Sequence, residues 1–187
     1  MHDRAELLSD DGRAACASLV ERPELSAFAL DGSIHDLDEV LVELAGTSLV
    51  PGGIARGDGV WWGRTPDGRV LALVEPEAVA SLRRRLAVEC RRTPALTVED
   101  PLDVVVFGLA GPGTNEVLVE FGVLGPAADA RGVAPCTRRT IAGATVAWLL
   151  PRRGDAFACV SQAHAGVVRE ELAARGRMRS LVAAAAG

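Results

Sequence analysis

The chain has 187 residues, 49% of them hydrophobic and 24% charged, with a net charge of −5, a profile that fits one globular domain and excludes disordered and collagen-like classes. All 20 basic residues are Arg, so no side-chain amine can form a Schiff base and no GxxxxGK[ST] loop exists, which rules out pyridoxal-phosphate enzymes, P-loop NTPases and protein kinases. Residues 1–50 hold 11 acidic residues and 3 Arg, a net of −8, and residues 51–187 hold 14 and 17, a net of +3, so neither part has the strong basic excess of a general nucleic-acid binder.

Asp3 to about Val20 carries Leu8, Ala15 and Leu19 around the break Ser9-Asp10-Asp11-Gly12 and reads as a weak helix or two separate turns. Leu25 to Leu30 reads as a short strand ending at the Asp31-Gly32 turn. Asp36 and Glu39 pair as a cap for a helix bearing Leu37, Val40, Leu41 and Leu44, closed by Gly46. Val60–Trp62 and Val70–Val74 flank Thr65-Pro66-Asp67-Gly68, which predicts a hairpin because Pro and Gly suit a tight turn. Pro76 opens a helix whose stripe is Val79, Leu82, Leu86 and Cys90, with Arg83, Arg84, Arg85, Arg91 and Arg92 on its solvated face.

After Thr93-Pro94, Leu102–Leu109 is a strong strand, and a short helix over about 112–121 turns Val117, Leu118 and Phe121 inward. Three strands follow, from about Cys136 to Ala142, Ala144 to Leu150 and Asp155 to Val160, with turns at Gly143 and at Pro151-Arg152-Arg153-Gly154. Ser161 caps a last helix bearing Val167, Val168 and Leu172, which stops near Gly176 and leaves residues 177–187 as a frayed tail. Strands and helices mingled with tight hairpins predict an α+β fold, its mixed or antiparallel sheet carrying helices on one face. Residues 1–50 form an acidic arm of helix, strand and helix, packing on the body or on a partner, and residues 51–176 form the body.

Cys16, Cys90, Cys136 and Cys159 are scattered with no CxxC and no nearby His, so neither a zinc cage nor a disulfide scaffold is expected. The amino terminus lacks a basic segment followed by an apolar stretch, and no run approaches the ~20 apolar residues of a bilayer span, which suggests a cytoplasmic protein. Gly111-Pro112-Gly113 follows a strand and opens a helix, the place of a dinucleotide fingerprint, but Glu116 stands where the third glycine would be and would repel pyrophosphate. His164 lies near a helix start and is the one weak candidate for a catalytic base. Arg138, Arg139, Arg152 and Arg153 are candidates for an anion site, although Arg138 and Arg139 point to opposite faces of an extended strand. Trp61 and Trp62 likewise alternate, and one of them is a candidate interface anchor.

The ordered pattern then resembles a known superfamily. Trp62 to Leu73 with the Arg-rich helix after it, Val106-Phe107-Gly108-Leu109-Ala110-Gly111-Pro112-Gly113-Thr114-Asn115-Glu116-Val117-Leu118, and the closing strands Cys136–Gly143 and Asp155–Val160 are similar to segments of the aminomethyltransferase (glycine-cleavage T-protein) superfamily. The nearest likeness is the gamma subunit of heterotetrameric sarcosine oxidase, a short relative of the folate-binding domain, and it covers about residues 58–175. The resemblance implies a folate-binding-domain-like fold and, with it, a subunit of a heteromeric enzyme acting on a small amine or amino acid at a site shared with a second protein subunit. The folate-using relatives have a loop bearing Gly and Glu, and an acidic residue after the aromatic of the closing strand that accepts from the pterin. Here the loop is Pro151-Arg152-Arg153-Gly154 and the acceptor position is Ala158, so no folate, and no other cofactor or metal, is expected. Membranes and nucleic acids are not expected partners either. The alternatives are a biosynthetic enzyme, alone or as half of a heterodimer, whose pocket contains His164 and Arg residues, and a small-ligand carrier.

Overall fold

The computed structural model describes residues 17–100, 103–124, 136–152, 154–175 and 179–180. Eleven strands and four helices follow one another along the described chain: β1 (Ser18–Glu21), β2 (Ser26–Asp31), α1 (Ile34–Ala45), β3 (Ile54–Gly57), β4 (Val60–Arg64), β5 (Val70–Val74), α2 (Pro76–Arg92), β6 (Thr97–Glu99), β7 (Val104–Ala110), α3 (Thr114–Glu120), β8 (Cys136–Ile141), β9 (Ala144–Arg152), β10 (Asp155–Ser161), α4 (Ala165–Arg175) and β11 (Arg179–Ser180). The strands divide into two sheets. The first runs β11-β1-β7-β10-β9-β8 and the second β3-β4-β5-β2-β6. All neighbours pair antiparallel except β1 with β11.

Three apolar clusters stack these layers. Leu37, Val40 and Leu41 of α1, with Leu82 and Leu86 of α2, cover Phe28, Trp62, Val70 and Val74 of the second sheet. Val117 and Leu118 of α3, with Val168 and Leu172 of α4, cover Phe107, Leu109, Val146 and Trp148 of the first. Between the sheets lie Ala27, Leu71 and Leu73 from one and Val106, Cys136, Leu149 and Cys159 from the other. The result is four layers, helices outside and two sheets inside. The α+β class of the sequence reading holds, and each sheet carries its helices on one face. The single sheet expected from the pattern is two.

Most predicted elements appear within a residue or two of their expected ends. Ser33, not Asp36, caps α1: its hydroxyl accepts from the Asp36 amide at 3.1 Å, and Gly46 closes the helix in the left-handed region at φ 74°. The expected helix ending near Val20 is replaced over Ser18–Glu21 by β1, because Leu19 faces the core from a strand paired with β7. Residues 1–16 lie outside the described residues. Over residues 18–50, β1 and β2 each lie inside a sheet, between two neighbours. The acidic front end meets the Arg-rich body directly, Arg64 pairing with Asp38 and Arg69 with Asp31 at 3.0 Å. Buried Arg64 also donates to the Leu49 carbonyl at 2.8 Å, which ties the loop after α1 to β4. The expected tail lies outside the described residues except for β11. Among the described residues no helix is long and apolar enough to cross a membrane.

Candidate functional site

Beyond one end of the inter-sheet core, β1, β7, β9 and β10 of the first sheet and β3 and β4 of the second line a groove of about 650 Å³. Four side chains form a ladder along its wall. The Arg56 guanidinium stands 4.4 Å from the centre of the Trp61 ring, the Trp61 and Phe157 rings are 6.1 Å apart at 57°, and the Arg22 guanidinium is 5.9 Å from Phe157. Strand alternation explains how this comes about. Phe157 points from β10 toward the second sheet, and Trp61 points from β4 toward the first, so their rings meet at the edge of the shared core.

Each guanidinium of the groove is held by a carboxylate. Arg22 pairs with Glu24, Arg56 with Glu75 at 2.9 Å, and Arg152 with Asp155. Burial works against charge on Glu24, but a backbone hydrogen bond and the Arg22 guanidinium together hold its carboxyl below the ordinary value, so it stays ionised at neutral pH. Glu24 and Glu75 stand outside the lining. The lining itself holds three guanidiniums and the carboxylate of Asp155, and with Glu24 and Glu75 behind it the charges are matched one to one. Gly108 forms part of the floor in mid-strand, where a Cβ would sit 3.3 Å from Arg22 Cγ. A side chain there would lift Arg22 off the sheet.

Of the residues singled out from sequence, Trp61 and Arg152 line this groove. Trp62 does not: it is 1% exposed, packed under α1 and α2, and has no surface to offer a partner. Arg138 and Arg139 leave β8 on opposite faces, Arg138 to Asp67 at 2.7 Å and Arg139 to the Gly122 carbonyl at 2.7 Å, and neither reaches the groove. Arg153 lies outside the described residues. His164 follows the far end of β10, six residues beyond Asp155 at Ser161, which is roughly 20 Å of strand. Its Nδ1 meets the Ser161 hydroxyl at 2.9 Å on an exposed turn. His164 lines neither this groove nor the one beside Gly111 and Pro112. Gly111 and Pro112 border a shallower groove with Asn115, Glu116 and Arg152, continuous with the first through Arg152 and Asp155. Among the described residues no three His, Cys, Asp or Glu side chains gather as a metal site would require.

Arg22, Arg56 and Phe157 were not legible as site residues. Isolated arginines carry no signal in a chain with 20 of them, and their convergence is a product of topology. The one available signal was Gly108, a glycine in the middle of a strong strand, which often marks a close approach.

No model of a known protein family matches the sequence, and no curated protein sequence does. Solved structures do match. Aminomethyltransferase T of the glycine cleavage system from Bartonella henselae superposes with a TM-score of 0.61 at 16% identity, over 89% of this chain and 48% of that one. A chain of heterotetrameric sarcosine oxidase from Corynebacterium sp. U-96, solved in complex with pyrrole 2-carboxylate, superposes with a TM-score of 0.64 at 17% identity, over 86% of this chain and 84% of that one. The fold is the aminomethyltransferase fold. The chain spans about half the length of the aminomethyltransferase it matches and nearly the whole of the matched sarcosine oxidase chain.

Folate, which this fold implies, does not fit the residues present. Ala158, at the position of the expected pterin acceptor, is fully buried against the helix layer and is not part of the groove. Pro151 and Arg152, at the end of β9 where the expected acidic loop begins, do line it and offer no carboxylate. The only carboxylate in the lining, Asp155, is engaged by Arg152.

Proposed function

We propose that this chain is a small, non-folate-binding subunit of a heteromeric enzyme that acts on a small amine or amino acid. The observation that carries this reading is the superposition on one chain of a heterotetrameric sarcosine oxidase, over 86% of this chain and 84% of that one. The groove adds weight. It is open at the edge of two sheets and has arginines and aromatics, and its one carboxylate, Asp155, is engaged by Arg152. That suits a surface completed by another chain better than a self-sufficient catalyst.

The test is co-expression with the products of neighbouring reading frames, followed by size-exclusion chromatography and an amine-oxidation or one-carbon-transfer assay. Co-elution at fixed stoichiometry, with activity present only in the complex, supports the proposal. A lone monomer that turns over a small amine by itself overturns it.

A further inference from the structure

We propose that the outer face of α1 and α2 is a docking surface for a second copy of this chain. The inference concerns this chain alone and stands whether or not it works as a subunit of a heteromeric enzyme. One side of each helix is spent on the second sheet, through Leu37, Val40 and Leu41 of α1 and Leu82 and Leu86 of α2. The opposite side divides by charge. α1 presents Glu39, Val42 and Glu43, spaced i, i+3, i+4, while α2 presents Arg84, Val88 and Arg91, spaced i, i+4, i+7. All of these side chains are exposed, and Val42 and Val88 keep 51% and 43% of their surface in solvent.

These charges are free, unlike those of the groove between the sheets. The Arg84 and Arg91 guanidiniums and the Glu43 carboxylate have no ion pair among the described residues. Glu39 meets only exposed His35, at 3.2 Å. The neighbouring arginines are engaged, Arg85 by the Glu43 and Leu44 carbonyls and Arg92 by Glu89. The same contacts set the helices against each other. Arg85 reaches the last turn of α1, while Arg92 and Thr93 share a groove with Asp38 and Glu39, so α1 and α2 run antiparallel. A two-fold axis parallel to both helices lays α1 of one copy over α2 of the other at the same levels. Glu43 then meets Arg84 and Glu39 meets Arg91, each pair formed twice, with Val42 and Val88 at the centre. A patch that carries its own complement in this way is what an isologous contact requires. A wholly acidic partner would be repelled by α1 and a wholly basic one by α2, so only a surface of mixed sign satisfies both helices. The contact is limited by α1, whose 12 residues span about 18 Å. It is therefore smaller than the ~1,200–2,000 Å² of a stable complex, and the dimer is weak and sensitive to salt.

Sedimentation velocity of the purified full chain tests this, from about 10 μM to about 1 mM and in about 20 mM and about 500 mM NaCl. The expected result is a shift from monomer toward dimer with concentration at low salt, weakened by roughly tenfold or more at high salt. Glu43→Arg and Arg84→Glu, each checked for native folding by circular dichroism, are expected to weaken self-association by roughly tenfold or more. Each places like charges opposite one another. Mixed in equal amounts, the two variants should associate again, because each supplies the charge that the other lacks. Loss of structure cannot produce that recovery. A chain that stays monomeric at every concentration, which needs no variant to observe, overturns the proposal. A dimer indifferent to salt and to both substitutions uses another face and overturns it as well, as do variants that remain apart when mixed. No partner chain takes part, so failure here leaves the heteromeric reading intact, and a failed co-elution leaves this result standing.

Discussion

Trp61 and Trp62 are joined by one peptide bond and have opposite surroundings. Trp62 fills the space under α1 and α2, while Trp61 stands half-buried between Arg56 and Phe157. Truncation of a fully buried aromatic costs about 3–5 kcal/mol, so Trp62→Ala is expected to lower stability by that amount in a denaturant melt. Trp61→Ala should cost clearly less, because one side of its ring faces the groove. Two cysteines show the chemistry of the same interior. Burial pushes the Cys136 thiol up to about 12, and burial also raises Cys159 strongly. At pH 8 both are thiols, not thiolates, and thiolate is the reactive form. Native protein is therefore expected to leave Cys136 and Cys159 unlabelled by a disulfide reagent while half-exposed Cys90 reacts, with Cys136 and Cys159 becoming labelled only in denaturant. Rapid native labelling of Cys136 or Cys159 would show that the sheets separate readily.

At the scale of elements, the sequence made strands and helices legible but not their division into sheets. Alternation tells which residues share a face, and it does not tell which strand lies beside which. One signal was available: Val70–Val74 is apolar at every position, and all five residues are buried, as a strand covered on both faces requires. β3 and β6 escaped notice because Ile54–Gly57 and Thr97–Glu99 are short and mostly polar. The site was harder still, since residues 22, 56, 61 and 157 meet only after both sheets form. The helix stripe was readable, and Leu86, 3% exposed under the second sheet, is expected to cost about 2–5 kcal/mol as Leu86→Ala.

Two contacts join the sheets across the divide that the pattern did not reveal. At Gly63 on β4, a Cβ would lie 2.9 Å from Cys136 Sγ and 3.1 Å from Leu149 Cγ. Gly63→Ala should therefore cost about 1–3 kcal/mol by overpacking, and Cys136→Ala should return part of that loss. The second contact is Asp67, in the β4–β5 turn, to Arg138 on β8 at 2.7 Å. A hydrogen bond from Thr65 and the Arg138 guanidinium lower the Asp67 carboxyl despite its desolvation. A depressed folded value stabilises above the unfolded one, about 3.9, and the benefit is lost as pH falls through the folded value. Asp67→Asn should thus cost no more than about 0.2–1 kcal/mol at pH 7, as exposed pairs do, with the gap to wild type closing as pH drops below about 4.

Over the described residues, the four layers bury the broad faces of the sheets and leave the groove as a place where aromatic surface and guanidiniums meet solvent together. Aromatic and Arg side chains are also the residues in which interface energy concentrates. If a partner chain completes this fold, the mouth of the groove is where it should sit, and Trp61 is the anchor with surface to give. A specific interface buries about 1,200–2,000 Å² in total, far more than the groove alone, so a partner seated there would also cover the rims formed by β3 and by the end of β9. Trp61→Ala is then expected to weaken association by at least about tenfold, roughly 1.4 kcal/mol, with the isolated chain still folded. Arg138→Ala, on the first sheet's far edge strand, should leave association unchanged and serves as the control. Isothermal titration of the purified partner into each variant reads both. An unchanged affinity for Trp61→Ala would move the interface off the groove. A loss with Arg138→Ala of the same size would move it to the β8 edge, where the pair with Asp67 would have to open to admit it.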